Sequence, residues 1–122
     1  MEDKFYVSVE AARLLRLKGY DKPTDYIYVI DGPFYSIWRN KDGNMESNYY
    51  PAPTKSEAID WLESKGITID IHWIRFNENR RWNYSIFNCS TCNTIDTKYI
   101  HSTRLEAEDA AIIRALKEIT KL

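Results

Sequence analysis

Cysteine is scarce in this chain, and the two it has, Cys89 and Cys92, sit three positions apart. That is too few, and too close together, for the disulfide framework of a small secreted domain, and it points to a reducing compartment. Glycine and proline, four of each, are too rare for a disordered or low-complexity segment. No apolar run approaches the roughly 18 residues that would span a bilayer. The opening Met1-Glu2-Asp3-Lys4 lacks the basic-then-apolar order of a signal peptide. A cytoplasmic protein without a membrane partner is the expectation. A net charge of −1, with a pI near 6.1, leaves no global basic field to gather nucleic acid. Also absent are a glycine-rich phosphate loop, a G-x-S-x-G elbow, an H-E-x-x-H pair and a paired-carboxylate motif. The chain is expected to be neither an enzyme nor the holder of a cofactor.

What the chain has in excess is aromatic residues, 14% of the total with nine Tyr and four Trp. Such rings suit half-buried strands, whose phenols reach water while their faces pack. At 122 residues the length predicts one domain, 1–122, large enough to bury a core without a metal or a disulfide. Ser8 caps a predicted helix over 9–18, with Ala11, Ala12, Leu14, Leu15 and Leu17 as its apolar side and Gly19 as its stop. Strands follow at Tyr26–Ile30 and Phe34–Arg39, with a weaker edge strand over 45–50. Thr54-Lys55-Ser56-Glu57 reads as a capping box for a second helix that stops at Gly66. The clearest strand alternates Ile67, Ile69, Ile71 and Trp73 with Thr68, Asp70, His72 and Ile74. Returning strands are predicted around Trp82–Ile86 and Ile95–His101, and Thr103 opens a last helix with Leu105, Ile112, Leu116 and Ile119 on one stripe.

The order is α+β: a helix and then a three-strand antiparallel meander, repeated, closed by a C-terminal helix on the sheet. Glu10-Ala11 to Lys18-Gly19 and Glu57-Ala58 to Lys65-Gly66 share their spacing, so the halves 5–50 and 54–122 read as a pseudo-repeat.

Several stretches together resemble a known family. They are Val7-Ser8, Glu10, Ala12, Leu14-Leu15, Lys18-Gly19-Tyr20-Asp21 and Pro23, then Pro51-Ala52-Pro53-Thr54 with Trp61-Leu62, and last Glu106-Ala107 with Ala115-Leu116-Lys117 and Ile119. These resemble short hypothetical proteins carried by phages, prophages and other mobile elements of Bacteroides-type bacteria, over nearly the whole chain. The resemblance implies an accessory gene product in a bacterial cytoplasm, and it brings no activity, substrate or catalytic residue. Cys89-Ser90-Thr91-Cys92 departs from the family pattern.

Three constellations carry chemistry. Cys89 and Cys92 on a turn could form half of a tetrahedral zinc site, which only His72 and His101 could complete; without a second C-x-x-C, two ordinary thiols are the better reading. His72 or His101 beside Asp70 or Asp96 could act as a general base, although an exposed sheet face carries the same residues. The third is nucleic acid. Residues 54–119 follow the helix, three strands, helix order of a double-stranded RNA-binding domain. Such domains place lysines at the start of their last helix, and this chain has Arg104 followed by Glu106, Glu108 and Asp109. A basic aromatic patch of Arg75, Arg80, Arg81, Trp82, Lys98 and Arg104 remains as the candidate contact surface. The preferred reading is a non-enzymatic interaction protein that binds a protein partner, or itself as a homodimer, through an aromatic sheet face. That face is drawn from Tyr26, Tyr28, Trp38, Tyr49, Tyr50, Trp73, Trp82 and Tyr84.

Overall fold

The computed structural model describes residues 3–41, 46–96 and 100–119. Helix α1 (Val9–Leu17) begins where the Ser8 hydroxyl accepts from the Ala11 amide at 3.3 Å, satisfying one of the donors a helix start leaves free. Its Ala11, Ala12, Leu14 and Leu15 are buried. Leu17, expected on that side, is 66% exposed, because it lies roughly 100° around the axis from Leu14–Leu15's common direction. Helix α2 (Lys55–Ser64) has the full capping box, Thr54 hydroxyl to Glu57 amide and Glu57 carboxylate to Thr54 amide, and buries Ala58, Trp61 and Leu62. Helices α1 and α2 both end on a glycine in the left-handed region, Gly19 at φ +83° and Gly66 at φ +85°, where a Cβ would strain the backbone.

The strands form two separate three-stranded antiparallel sheets. In the first, β1 (Tyr26–Asp31) lies between β2 (Phe34–Arg39) and β3 (Tyr49–Pro51). This corrects the expected meander: the third strand crosses to the far side of β1 and does not pair with β2. The core decides the order. Tyr28 of β1 and Pro51 of β3 are buried, whereas all six residues of β2 are exposed, and α1 packs against β3. A third strand beside β2 would have placed Pro51 away from that core. The Arg16 guanidinium also donates to the Tyr49 carbonyl, tying α1 to this strand.

The second sheet is a meander, β4 (Ile67–Phe76), β5 (Asn79–Asn88) and β6 (Asn93–Asp96). Its long hairpin turns through Asn77 and Glu78, both at positive φ (48° and 69°), the backbone that a two-residue turn of matching twist requires. The third strand was expected over 95–101. It is shorter and starts earlier; His101 rejoins the sheet through a single bridge to Trp82, and residues 97–99 lie outside the described residues. The two halves therefore share helix ends but differ in strand order: the first strand is central in one sheet, the second strand in the other.

Helix α3 (Arg104–Ile119) lies against β4, β5, α1 and α2. Its buried side is Ala107, Ala111, Ile112, Ala115 and Leu116, and the alanines let neighbouring backbones approach closely. Val7, Leu15, Tyr28, Leu62, Ile67, Ile86, Ile112 and Leu116 belong to one contiguous buried cluster drawn from both halves. No helix among the described residues is long and apolar enough to cross a membrane.

Candidate functional site

Register places the chemically suggestive residues. His72 pairs with Asn83, Ile67 with Asn88, and Trp82 with both Trp73 and His101. Cys89, whose amide donates to the Gly66 carbonyl at 2.8 Å, therefore lies six residues along β5 from the His72 row, roughly 20 Å at strand rise. The zinc set Cys89, Cys92, His72 and His101 is split between opposite ends of the sheet. Among the described residues no group of three His, Cys, Asp or Glu could hold a metal. Both cysteines are free and exposed.

Asp70 and His72 do share a face of β4, with His72 Nδ1 3.4 Å from Asp70 Oδ2 but unaligned for a hydrogen bond. Asp70 is 73% exposed, whereas His72 Nδ1 is itself buried and has no hydrogen-bond partner among the described residues. Across β4–β5, Ser85 faces Asp70 and Asn83 faces His72. These are rows on an open sheet face.

The basic aromatic residues gather at the other end of the same sheet. Arg80 lies over the Trp73 ring at 5.0 Å, and Arg104 over Trp82 at 5.5 Å. His101 stacks on Tyr84, with centroids 6.2 Å apart. Arg75 pairs with Arg80 in register and so shares this face, whereas Arg81 points to the opposite one. Arg104 is engaged by Glu108 at 3.2 Å, which neutralises one cation of the group. Lys98 lies outside the described residues. Four of the six residues singled out as a nucleic-acid contact, Arg75, Arg80, Trp82 and Arg104, are thus brought together, and Trp73 joins them.

Among the described residues, four of the exposed large apolar side chains fall together on one strand of the first sheet. Phe34, Tyr35, Ile37 and Trp38 of β2 are exposed by 74, 54, 38 and 59%. Alternation puts Phe34, Ser36 and Trp38 on the outer face, and Tyr35 and Ile37 on the face toward the helices. On the outer face Trp38 Nε1 donates to Ser36 Oγ at 2.7 Å, and Trp38 walls a hollow of about 380 Å³ shared with Ile27, Val29 and Tyr49. On the inner face Tyr35 meets Tyr28 edge-on at 5.5 Å. There Tyr35 and Ile37 border a groove of about 500 Å³ whose other wall includes Glu106, Asp109 and Ile113 of α3. Lys55, buried at the groove, spends its ammonium on the Lys4 carbonyl at 2.7 Å.

The expected aromatic pool divides accordingly. Tyr28 and Tyr84 are core; Tyr26, Tyr49, Tyr50 and Trp82 are half-buried; Trp38 and Trp73 are exposed. Phe34, Tyr35 and Ile37 were not in that pool. Their signal was present, because Phe34-Tyr35-Ser36-Ile37-Trp38 is apolar at both parities, a pattern that alone reads as a strand buried on two faces. Comparison of the chain with protein-family models, with curated proteins and with solved structures returns no match.

Proposed function

We propose that this chain is a small non-enzymatic interaction protein that engages protein through the aromatic strand β2. An accessory role in a phage or other mobile element, in a bacterial cytoplasm, belongs to the same proposal and rests on the sequence resemblance. The observation that carries it is that β2 is an edge strand with four large apolar side chains exposed on its two faces. Proteins normally shorten, charge or cover such an edge, and contiguous exposed apolar surface marks contact sites. The test is a photoreactive phenylalanine analogue placed at Trp38 or at Leu17 during expression, both positions being exposed. Covalent protein adducts from position 38 and none from position 17 are expected. Equal capture at both sites would remove the reading.

A second reading, binding of single-stranded nucleic acid, is favoured by the Arg80–Trp73 and Arg104–Trp82 pairs on one face of the β4–β5 hairpin, since rings and guanidinium planes stack bases. Glu106 and Glu108, beside Arg104, oppose a phosphate backbone there. Salt-sensitive retention on immobilised single strands, lost in Trp73→Ala with Arg80→Ala, would promote this reading over the first.

A further inference from the structure

We infer that β2 pairs with β2 of a second copy, antiparallel, with Ser36 on the two-fold axis. The inference rests on the interaction reading and names its partner.

The direction of each backbone group on β2 follows from the ladder. Asn40 donates to the Asp25 carbonyl at 2.8 Å, so the Asp25–Asn40 pair is hydrogen-bonded, and alternation makes Ile27–Trp38, Val29–Ser36 and Asp31–Phe34 bonded as well. Tyr26, Tyr28 and Ile30 then face β3, in agreement with the Ala52 amide on Tyr26 and the Ile30 amide on Asn48. It follows that Phe34, Ser36 and Trp38 turn their amides and carbonyls to β1. Tyr35 and Ile37 turn theirs outward, to an edge that no strand among the described residues pairs.

The five residues Phe34-Tyr35-Ser36-Ile37-Trp38 are symmetric about Ser36 in side-chain class, with an aromatic ring at each end and a large apolar side chain on either side of the serine. Centred on Ser36, the register sets Tyr35 opposite Ile37 of the second copy as bonded pairs, using all four outward groups in four backbone hydrogen bonds. Phe34 falls opposite Trp38 of the second copy in the closer, non-bonded rows, where cross-strand aromatic pairs gain most. The smallest side chain sits on the axis. No charged residue lies within the five, so no like charges are opposed, and Arg39 falls beyond them beside Pro33.

The other edges are less suited to pairing. β3 has three residues and ends in Pro51, β6 has four, and β4 carries Asp70, His72 and Arg75. Three aromatic side chains of about 200 Å² each, half to three quarters exposed, offer with Ile37 roughly 400 Å² per copy and about 800 Å² per pair. With the backbone added this reaches the low end of specific interfaces, the size class of weak, reversible contacts. It is isologous and closed: a six-stranded sheet whose β2 edges are both consumed.

Cysteine cross-linking reads the register directly. In a Cys89→Ser, Cys92→Ser background, Ser36→Cys places two thiols in a non-bonded pair with Cα atoms about 4.5 Å apart, within disulfide range. Oxidation with diamide should convert most of it to a linked dimer. Phe34→Cys alone should not link, while a mixture of Phe34→Cys and Trp38→Cys chains should. Ile37→Pro removes an outward amide that β1 does not use, so it should keep the monomer's melting temperature within a few degrees and weaken the dimer at least tenfold by sedimentation. Equal linking at positions 34 and 36, or an unaffected dimer in Ile37→Pro, would overturn the register. If Ser36→Cys fails to link while the photoreactive group at position 38 captures a different protein, the homodimer is refuted and the broader interaction reading stands.

Discussion

Replacing Tyr28 by Phe removes one oxygen from the centre of the molecule and leaves the ring in place. The Tyr28 hydroxyl donates to the Val7 carbonyl at 2.6 Å. Tyr28 is 5% exposed and Val7 fully buried, so water cannot replace the lost donor. The Val7 amide meanwhile bonds the Pro53 carbonyl at 3.1 Å, which holds the segment where it is and prevents the carbonyl from turning to solvent. A buried acceptor left without its donor costs about 1–3 kcal/mol, and the lower half of that range fits here because a carbonyl tolerates partial satisfaction better than an amide. The expected loss is about 1.5 kcal/mol. For a chain of this size that corresponds to a melting temperature lower by roughly 5–7 °C, or a urea midpoint lower by about 0.8 M at a slope near 2 kcal/mol per M. Tyr49→Phe is the control, since its half-buried phenol has no hydrogen-bond partner among the described residues. A Tyr28→Phe loss under 0.5 kcal/mol, or an equal loss in Tyr49→Phe, would refute the argument that this bond ties the first sheet to the amino-terminal segment.

Thr54→Ala removes the hydroxyl that accepts from the Glu57 amide and donates to the Glu57 carboxylate, leaves the bond from the residue 54 amide to Glu57 in place, and should cost about 1 kcal/mol in chemical denaturation. Thr103→Ala, whose hydroxyl accepts only from the Glu106 amide at 3.2 Å, should cost less. Burial, helped by Glu57 and Asp21, pushes the Tyr20 phenol up to about 12. An acid whose folded value exceeds its unfolded one near 10 loses stability as pH rises, so the fall begins near pH 10 and ends near 12, and Tyr20→Phe should flatten it. Its slope should stay below about 1.4 kcal/mol per pH unit because the phenol is partly solvated. Chelation should leave the melting temperature unchanged, and Cys89→Ser should shift it by less than about 2 °C, because two exposed thiols without nearby imidazoles make half a zinc site; a chelator-induced drop would contradict the register.

Local signals in the chain were legible where a single residue type sufficed. Ser8, Thr54, Gly19 and Gly66 mark helix ends through short-range hydrogen bonds and a backbone angle, and the alternation from Ile67 to Trp73 marks a half-buried strand. Strand order in the first sheet was not legible. Whether the chain after Arg39 turns back beside β2 or crosses to the far edge of β1 depends on where α1 and α3 bury Tyr28 and Pro51, which is a tertiary matter. The same reason hid the site. Apolar residues at both parities of β2 read by themselves as a strand buried on two faces, and only the position of the core shows that this one is an exposed edge. Likewise, Cys89 and His72 are close in sequence pattern yet separated once β4–β5 registers; the arginines met Trp73 and Trp82 because that register fixed which parity they share.

The start of α1 is held from the other end of the chain: the Ser8 amide donates to Asp109 Oδ1 at 2.9 Å, across 101 positions. Ribosomes add about 5–20 residues per second, so α1 and the β2 strand emerge several seconds before Asp109 does. During that interval the first helix lacks its distant anchor while Phe34 and Trp38 are already in water. Chaperone demand in synthesis should therefore fall on the first forty residues, and a block that delays α3 should leave that region the first to be cut by protease.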